Sequence, residues 1–142
     1  MLTVAMLVTV VSAQGRTNAG AEKVILGFIE SYLNTDHKAM EKLILSDAYE
    51  LLPRENKVLR ISAADIIRQM KANGLVKQQC TSSYYTIAES EAMIVAKVDF
   101  HYDGHIVREF ITLTRDRENE WKISEIKKFF VKTERPSELA AK

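Results

Sequence analysis

MIVAKVDFHYDGHIVREFITLTR, residues 93–115, is two alternating apolar and polar runs folded back on Asp103-Gly104. An Asp-Gly pair between such runs is a strong short-range hairpin signal and predicts a two-residue type I′ turn. With that turn the register follows at once, because side chains alternate across a strand. Tyr102 faces His105, Phe100 faces Val107, Val98 faces Glu109, Ala96 faces Ile111 and Ile94 faces Leu113. On the other side Asp99 meets Arg108, Lys97 meets Phe110 and His101 meets Ile106. The first set is the predicted buried face. The second is solvated or lies at a subunit contact, with Asp99 and Arg108 placed as a cross-strand ion pair. Glu109 breaks the inner pattern as its one charged member. A carboxylate in an apolar layer must find a partner or take up a proton, since desolvating the charge is expensive. Glu109 therefore lines a pocket as an acid or base with Tyr102 and His105 nearer its mouth, or it meets water or a neutralising Tyr or Arg.

Working outward, the period after Gly74 is that of strands and before it that of helices. Gln79 to Glu89, Ala92 to Tyr102, His105 to Arg115 and Trp121 to Val131 read as long strands. Upstream, Val24, Ile25, Phe28, Ile29, Tyr32 and Leu33 make one helical stripe, in which Gly27 allows close approach to the sheet. Asn34-Thr35-Asp36 ends it, and Asp36 caps a second helix with Met40, Leu43 and Ile44 inward. Short strands Ala48 to Leu52 and Lys57 to Ile61 flank Pro53 and the turn Arg54-Glu55-Asn56. Ser62-Ala63-Ala64-Asp65 then caps a third helix carrying Ile66, Ile67 and Met70, which Asn73-Gly74 terminates. Helices first and antiparallel strands last define an α+β fold, three N-terminal helices packed on a strongly curved, mostly antiparallel sheet.

Of the 142 residues, 20 are Lys or Arg and 19 are Asp or Glu, a net charge of +1 that offers no field for nucleic acid. The single Cys excludes a disulfide framework and a Cys-rich metal site. Cys80 reads as a small buried hydrophobe, and Tyr84-Tyr85 puts one ring on each face. The histidines His37, His101 and His105 do not converge, so no metal or other cofactor is expected. Lys122, Lys127, Lys128 and Lys132 alternate with Glu118, Glu120, Glu125 and Glu134, the pattern of a solvated face. Residues 1–13 are apolar and uncharged and end in Val11-Ser12-Ala13, the form of a signal peptide cleaved after Ala13, although no Lys or Arg precedes Arg16. The run is too short for a bilayer, which needs about twenty residues, so no membrane anchor is expected. The mature chain, 14–142, then reads as one exported domain, secreted or periplasmic, with residues 132–142 as a frayed tail.

Phe28-Ile29-Glu30 before Asn34-Thr35-Asp36, Ser46-Asp47-Ala48 entering a strand, the Asp103-Gly104 hairpin and Glu120-Trp121-Lys122-Ile123 resemble the nuclear transport factor 2-like superfamily. Within it the order is most similar to the lumazine-binding and SnoaL-like group. The resemblance covers about Ala21 to Lys132. It implies a cystatin-like cone, three helices closing a bent sheet around a cavity, commonly dimerised through the outer sheet face. In its steroid isomerase branch the oxyanion Tyr falls on Phe28, the general base on Leu52 and the second oxyanion acid on Ile111, none of which handles a proton. The dehydratase branch would want a His/acid pair. His105 and Glu109 share a face but stand roughly 13 Å apart at about 3.3 Å per residue. The expectation is a small-ligand-binding domain: Tyr49, Tyr102, His105 and Glu109 line the site, the ligand is mostly apolar, and the chain pairs as a homodimer. The alternatives are a SnoaL-like cyclase, isomerase or dehydratase with Glu109 as base, or an interaction module working through Ile106, Arg108 and Phe110 with the cone plugged by Phe28, Phe100 and Phe129.

Overall fold

The computed structural model describes residues 18–134, so the signal-peptide reading of residues 1–13 lies outside the described residues. Three helices precede or interrupt a six-stranded sheet. They are α1 (Ala19–Asn34), α2 (His37–Leu43) and α3 (Ala63–Asn73); the strands are β1 (Ile44–Arg54), β2 (Lys57–Ser62), β3 (Thr81–Glu89), β4 (Met93–Tyr102), β5 (His105–Arg115) and β6 (Trp121–Lys132). The sheet order is β2-β1-β6-β5-β4-β3. Only the β1–β6 pair is parallel; all others are antiparallel. This is the α+β architecture expected from the helical-then-alternating pattern.

Each boundary has a local cause. Asn18, Asp36 and Ser62 cap the three helices, their side chains accepting from the backbone N–H groups of Gly20, Ala39 and Asp65. Helix α1 ends where Thr35 turns left-handed, at φ 50°, a strained place for a β-branched residue. That conformation is held by the Thr35 hydroxyl, which donates to the Val76 carbonyl at 2.7 Å and accepts from the Gln78 amide at 3.2 Å. Ile44 begins β1 directly after α2 and is not the helical residue its spacing suggested. Pro53 lies inside β1, not beyond it. It sits past Leu51↔Lys127, the last pairing with β6, so its missing N–H removes no bond on that side. Gly27 lets α1 approach the Leu43 side chain rather than the sheet: a Cβ there would lie 3.1 Å from Leu43 Cδ1.

The β4–β5 register is the one read from the sequence, from Tyr102↔His105 to Ile94↔Leu113. The turn differs, since only Gly104 of the pair takes a positive φ, 87°, whereas a type I′ turn needs both. Strand β6 runs through Lys132, which pairs with His105, and the Thr133 N–H donates to the Gly104 carbonyl; the fraying expected from residue 132 does not begin there. The core lies between α1 and the inner sheet face, where Ile25, Phe28, Ala96, Phe100, Ile111, Leu113 and Ile123 are fully buried. Phe129 does not plug the cone. It stands on the outer face, edge-on to Phe110 with ring centroids 5.8 Å apart.

Candidate functional site

The inner face is apolar at the end under Trp121 and Ile94 and polar at the end near Glu109. One extra residue in β6 makes the difference. Thr112 pairs with Glu125 and Leu113 with Ile123, so Ser124 has no opposite number and forms a bulge. Before it Trp121 and Ile123 point inward; after it Ile126 and Lys128 do. Lys128 thus lies inside the cone beside its cross-strand partner Glu109, and not on the solvated face that its alternation with Glu residues suggested. Strand β1, parallel to β6, adds Glu50 opposite Ile126.

The three side chains form one cluster. Lys128 Nζ lies 3.0 Å from Glu50 Oε1 and 3.2 Å from Glu109 Oε1. Glu109 is only 2% exposed, and its Oε2 has no hydrogen-bond partner among the described residues. Burial pushes the Glu109 carboxyl above its ordinary range; Lys128 opposes that, and the Glu50 charge reinforces it. Burial works against the charge on Lys128, but the two carboxylates outweigh it and hold the ammonium more firmly than usual.

Above the cluster is a cavity of about 220 Å³. Phe28, Met40, Ile66, Met70 and Ile126 supply its apolar wall. Tyr32, Thr35, Gln69, Asn73 and Gln78 give it polar groups besides those of the cluster. At about 30 Å³ for each water's share of the liquid, the space equals about seven waters, below the ≈ 300–1,000 Å³ typical of drug-sized sites. A larger open groove of about 490 Å³ between α2, β1 and α3 has its charges, Glu41, Arg68 and Lys71, at the surface.

A hydroxyl chain borders the cavity. Tyr102 donates to Gln78 Oε1 at 3.1 Å and lies 3.3 Å from the Tyr32 hydroxyl. Burial raises the Tyr32 phenol to about 12, a shift the Tyr102 hydrogen bond opposes and the Glu109 charge adds to, so it acts as a neutral donor or acceptor. The Tyr32 ring stacks on Phe100, centroids 3.8 Å apart.

Of the residues expected at the site, Glu109 lines the cavity. Tyr102 reaches its border through Tyr32 and Gln78, whereas His105 stacks on Tyr102 at 4.8 Å and does not line the cavity. Tyr49 falls on the opposite side of β1 from Glu50: its hydroxyl donates to Glu125 at 3.3 Å and Arg60 covers its ring at 3.7 Å. Glu50 and Lys128 are the members that sequence reasoning missed. The available signals were the Ala48, Glu50, Leu52 alternation and the three-residue step from Ile123 to Ile126, which breaks a strict two-residue period. Phe28 belongs to the cavity wall, and Leu52 and Ile111 are buried apolar residues.

A bent sheet closed by three helices over a polar-floored cavity defines a cone-shaped α+β class, and the nuclear transport factor 2-like, cystatin-like fold is its particular form here. A nuclear transport factor 2-like protein of unknown function from Shewanella baltica OS155 matches at TM-score 0.70 and 13% identity, over 80% of this chain and 93% of that one. One from Silicibacter pomeroyi DSS-3 matches at TM-score 0.66 and 14% identity, over 79% and 93%. A ketosteroid isomerase-like protein from Erwinia carotovora atroseptica matches at TM-score 0.61 and 9% identity, over 81% and 96%. At such identities the likeness is one of fold. No family model and no curated protein matches the sequence.

Proposed function

We propose that the protein is an exported small-ligand-binding domain of the nuclear transport factor 2-like type, whose cavity takes a compact molecule with a polar group set against Glu109. The observation that carries this reading is the unpartnered Oε2 of a buried carboxyl on the floor of a cavity. A ligand group would satisfy it, and an unsatisfied buried polar atom otherwise costs about 1–3 kcal/mol. The cavity's size and its amides and carboxyls shift the ligand from the mostly apolar one expected toward a small polar one. Export rests on residues 1–13, read from sequence. The half-buried Ile106 and Phe110 and the exposed Phe129 on the outer face support a homodimer through that surface.

Native mass spectrometry of the protein from its own host tests the binding reading. One small molecule per chain is expected in the wild type and none in Met70→Trp, whose indole fills the cavity wall. A wild-type chain that carries none, and binds none of a panel of ring-bearing probes, sinks it. For the dimer, sedimentation equilibrium should show two chains per particle and one after Phe110→Lys; a monomeric wild type excludes it.

The same carboxyl favours a second reading, a SnoaL-like cyclase, isomerase or dehydratase with Glu109 as general base. Its proton affinity is raised, as a base working near neutrality needs. Under that reading Glu109→Gln abolishes turnover and spares binding. Turnover that survives the substitution removes Glu109 from the chemistry.

A further inference from the structure

Resting on the reading that the cavity binds a small ligand, we propose that this ligand carries a protonated amine and that Glu109 Oε2 anchors it. The floor holds two carboxyl groups against one ammonium. Lys128 bridges Oε1 of both acids, which leaves Glu109 Oε2 buried and unpartnered. Among the described residues no second cation pairs with it: the charges acting on Glu109 are those of Lys128 from β6 and Glu50 from β1. The other titratable group facing it is Tyr32 from α1, whose hydroxyl meets Tyr102 near Cys80. Helix α3 adds only the neutral Ile66, Gln69, Met70 and Asn73.

Three ligand charges can be weighed against this floor. An anion would bring a third negative group to one ammonium, at short range and away from water. A neutral ligand would satisfy Oε2 with an ordinary hydrogen bond. An ammonium completes an alternating set of two anions and two cations and makes a charge-assisted bond, roughly twice as strong as a neutral one. The wall accepts a cation: Lys128 Nζ already lies 5.9 Å from the centroid of the Tyr32 ring. Among the described residues no group of three His, Cys, Asp or Glu is arranged for a metal, whereas one carboxylate oxygen beside aromatic rings suits an organic ammonium. Binding is also proton-coupled. Glu109 holds a proton more readily than an exposed carboxyl, and the arriving ammonium sends that proton to solvent, so amine affinity rises with pH.

Benzylamine, benzyl alcohol and benzoate differ only in the group they offer to the floor, and calorimetric titration of each into the full chain separates the cases. At about pH 8 benzylamine should bind at least about tenfold tighter than benzyl alcohol, with benzoate weakest, and the advantage should shrink at about pH 5. Glu109→Gln should cut benzylamine affinity about tenfold and spare benzyl alcohol, in protein whose circular-dichroism melt stays cooperative. Met70→Trp, which leaves the floor intact, should remove all three. Benzyl alcohol or benzoate binding as tightly as benzylamine, or a Glu109→Gln chain that keeps its amine preference, overturns the amine assignment and leaves the cavity reading standing. If none of the three binds the wild type, the amine assignment falls, and the cavity reading falls with it only when native mass spectrometry also finds no bound molecule.

Discussion

Arg108 and Glu109 are adjacent on β5 and point to opposite faces of the sheet, where each belongs to an ion cluster. On the outer face Arg108 grips Asp99 with two bonds of 2.9 Å, and Lys97 stands 3.7 Å from the same carboxylate. The Arg108 hydrogen bond, foremost, holds the Asp99 carboxyl below its usual range, with burial opposing. Both carboxylate oxygens are engaged there. On the inner face the acids outnumber the base, one oxygen is left over, and the acid's proton affinity is raised instead of lowered. A closed cluster has nothing to offer a ligand; an incomplete one does.

The contrast is tested most severely at Lys128. Lys128→Met leaves two buried carboxyls without their cation and should cost about 3–5 kcal/mol in urea denaturation. A loss below about 1 kcal/mol would mean that water reaches the floor and that the two clusters are alike. Asp99→Ala should cost less, about 1–2 kcal/mol, because the freed Arg108 side chain is 30% exposed and can turn to solvent. An equal or larger loss than at Lys128 reverses the comparison. The smallest effect, and the one that sharpens the contrast most, is in pH dependence. With its folded-state pKa raised, Glu109 contributes stability that is full below its ordinary 4.5 and lost as pH rises through the folded value. Asp99, lowered from 3.8, contributes stability that is present above that value and lost as pH falls. Denaturation midpoints should therefore decline at both ends of an acid-to-neutral series, and Glu109→Gln should remove only the upper decline. A Glu109→Gln profile superimposable on the wild type would mean that the carboxyl titrates as if in water.

What could be read in advance follows from how each register is set. Asp103-Gly104 ties β4 to β5 within two residues, so every pair followed from the turn and Glu109 stood out as the charge on an apolar face. The pairing survived even though the turn type differed, because alternation and loop length fix register more firmly than turn dihedrals do. Strand β1 has no tight turn to β6: the two are distant in sequence and parallel, and β1 is irregular between Ile44 and Tyr49. Parity there was open, and Tyr49 and Glu50 exchanged the places expected of them. Lys128 was hidden by the bulge, since counting in twos from Trp121 puts Lys127 inside.

Ser124 touches nothing in the cavity; its hydroxyl lies 3.2 Å from the Thr112 carbonyl, at the bulge itself. Yet it works as a reading-frame marker for side chains. Its place outside the ladder is what brings Ile126 and Lys128 inward: drawn into strict alternation after Ile123, the same sequence would turn Glu125, Lys127 and Phe129 inward and Lys128 and Phe130 outward. A fold of this kind can exchange a charged pocket for an aromatic one by closing a bulge at a single position, with every residue that faces the ligand already written in the strand.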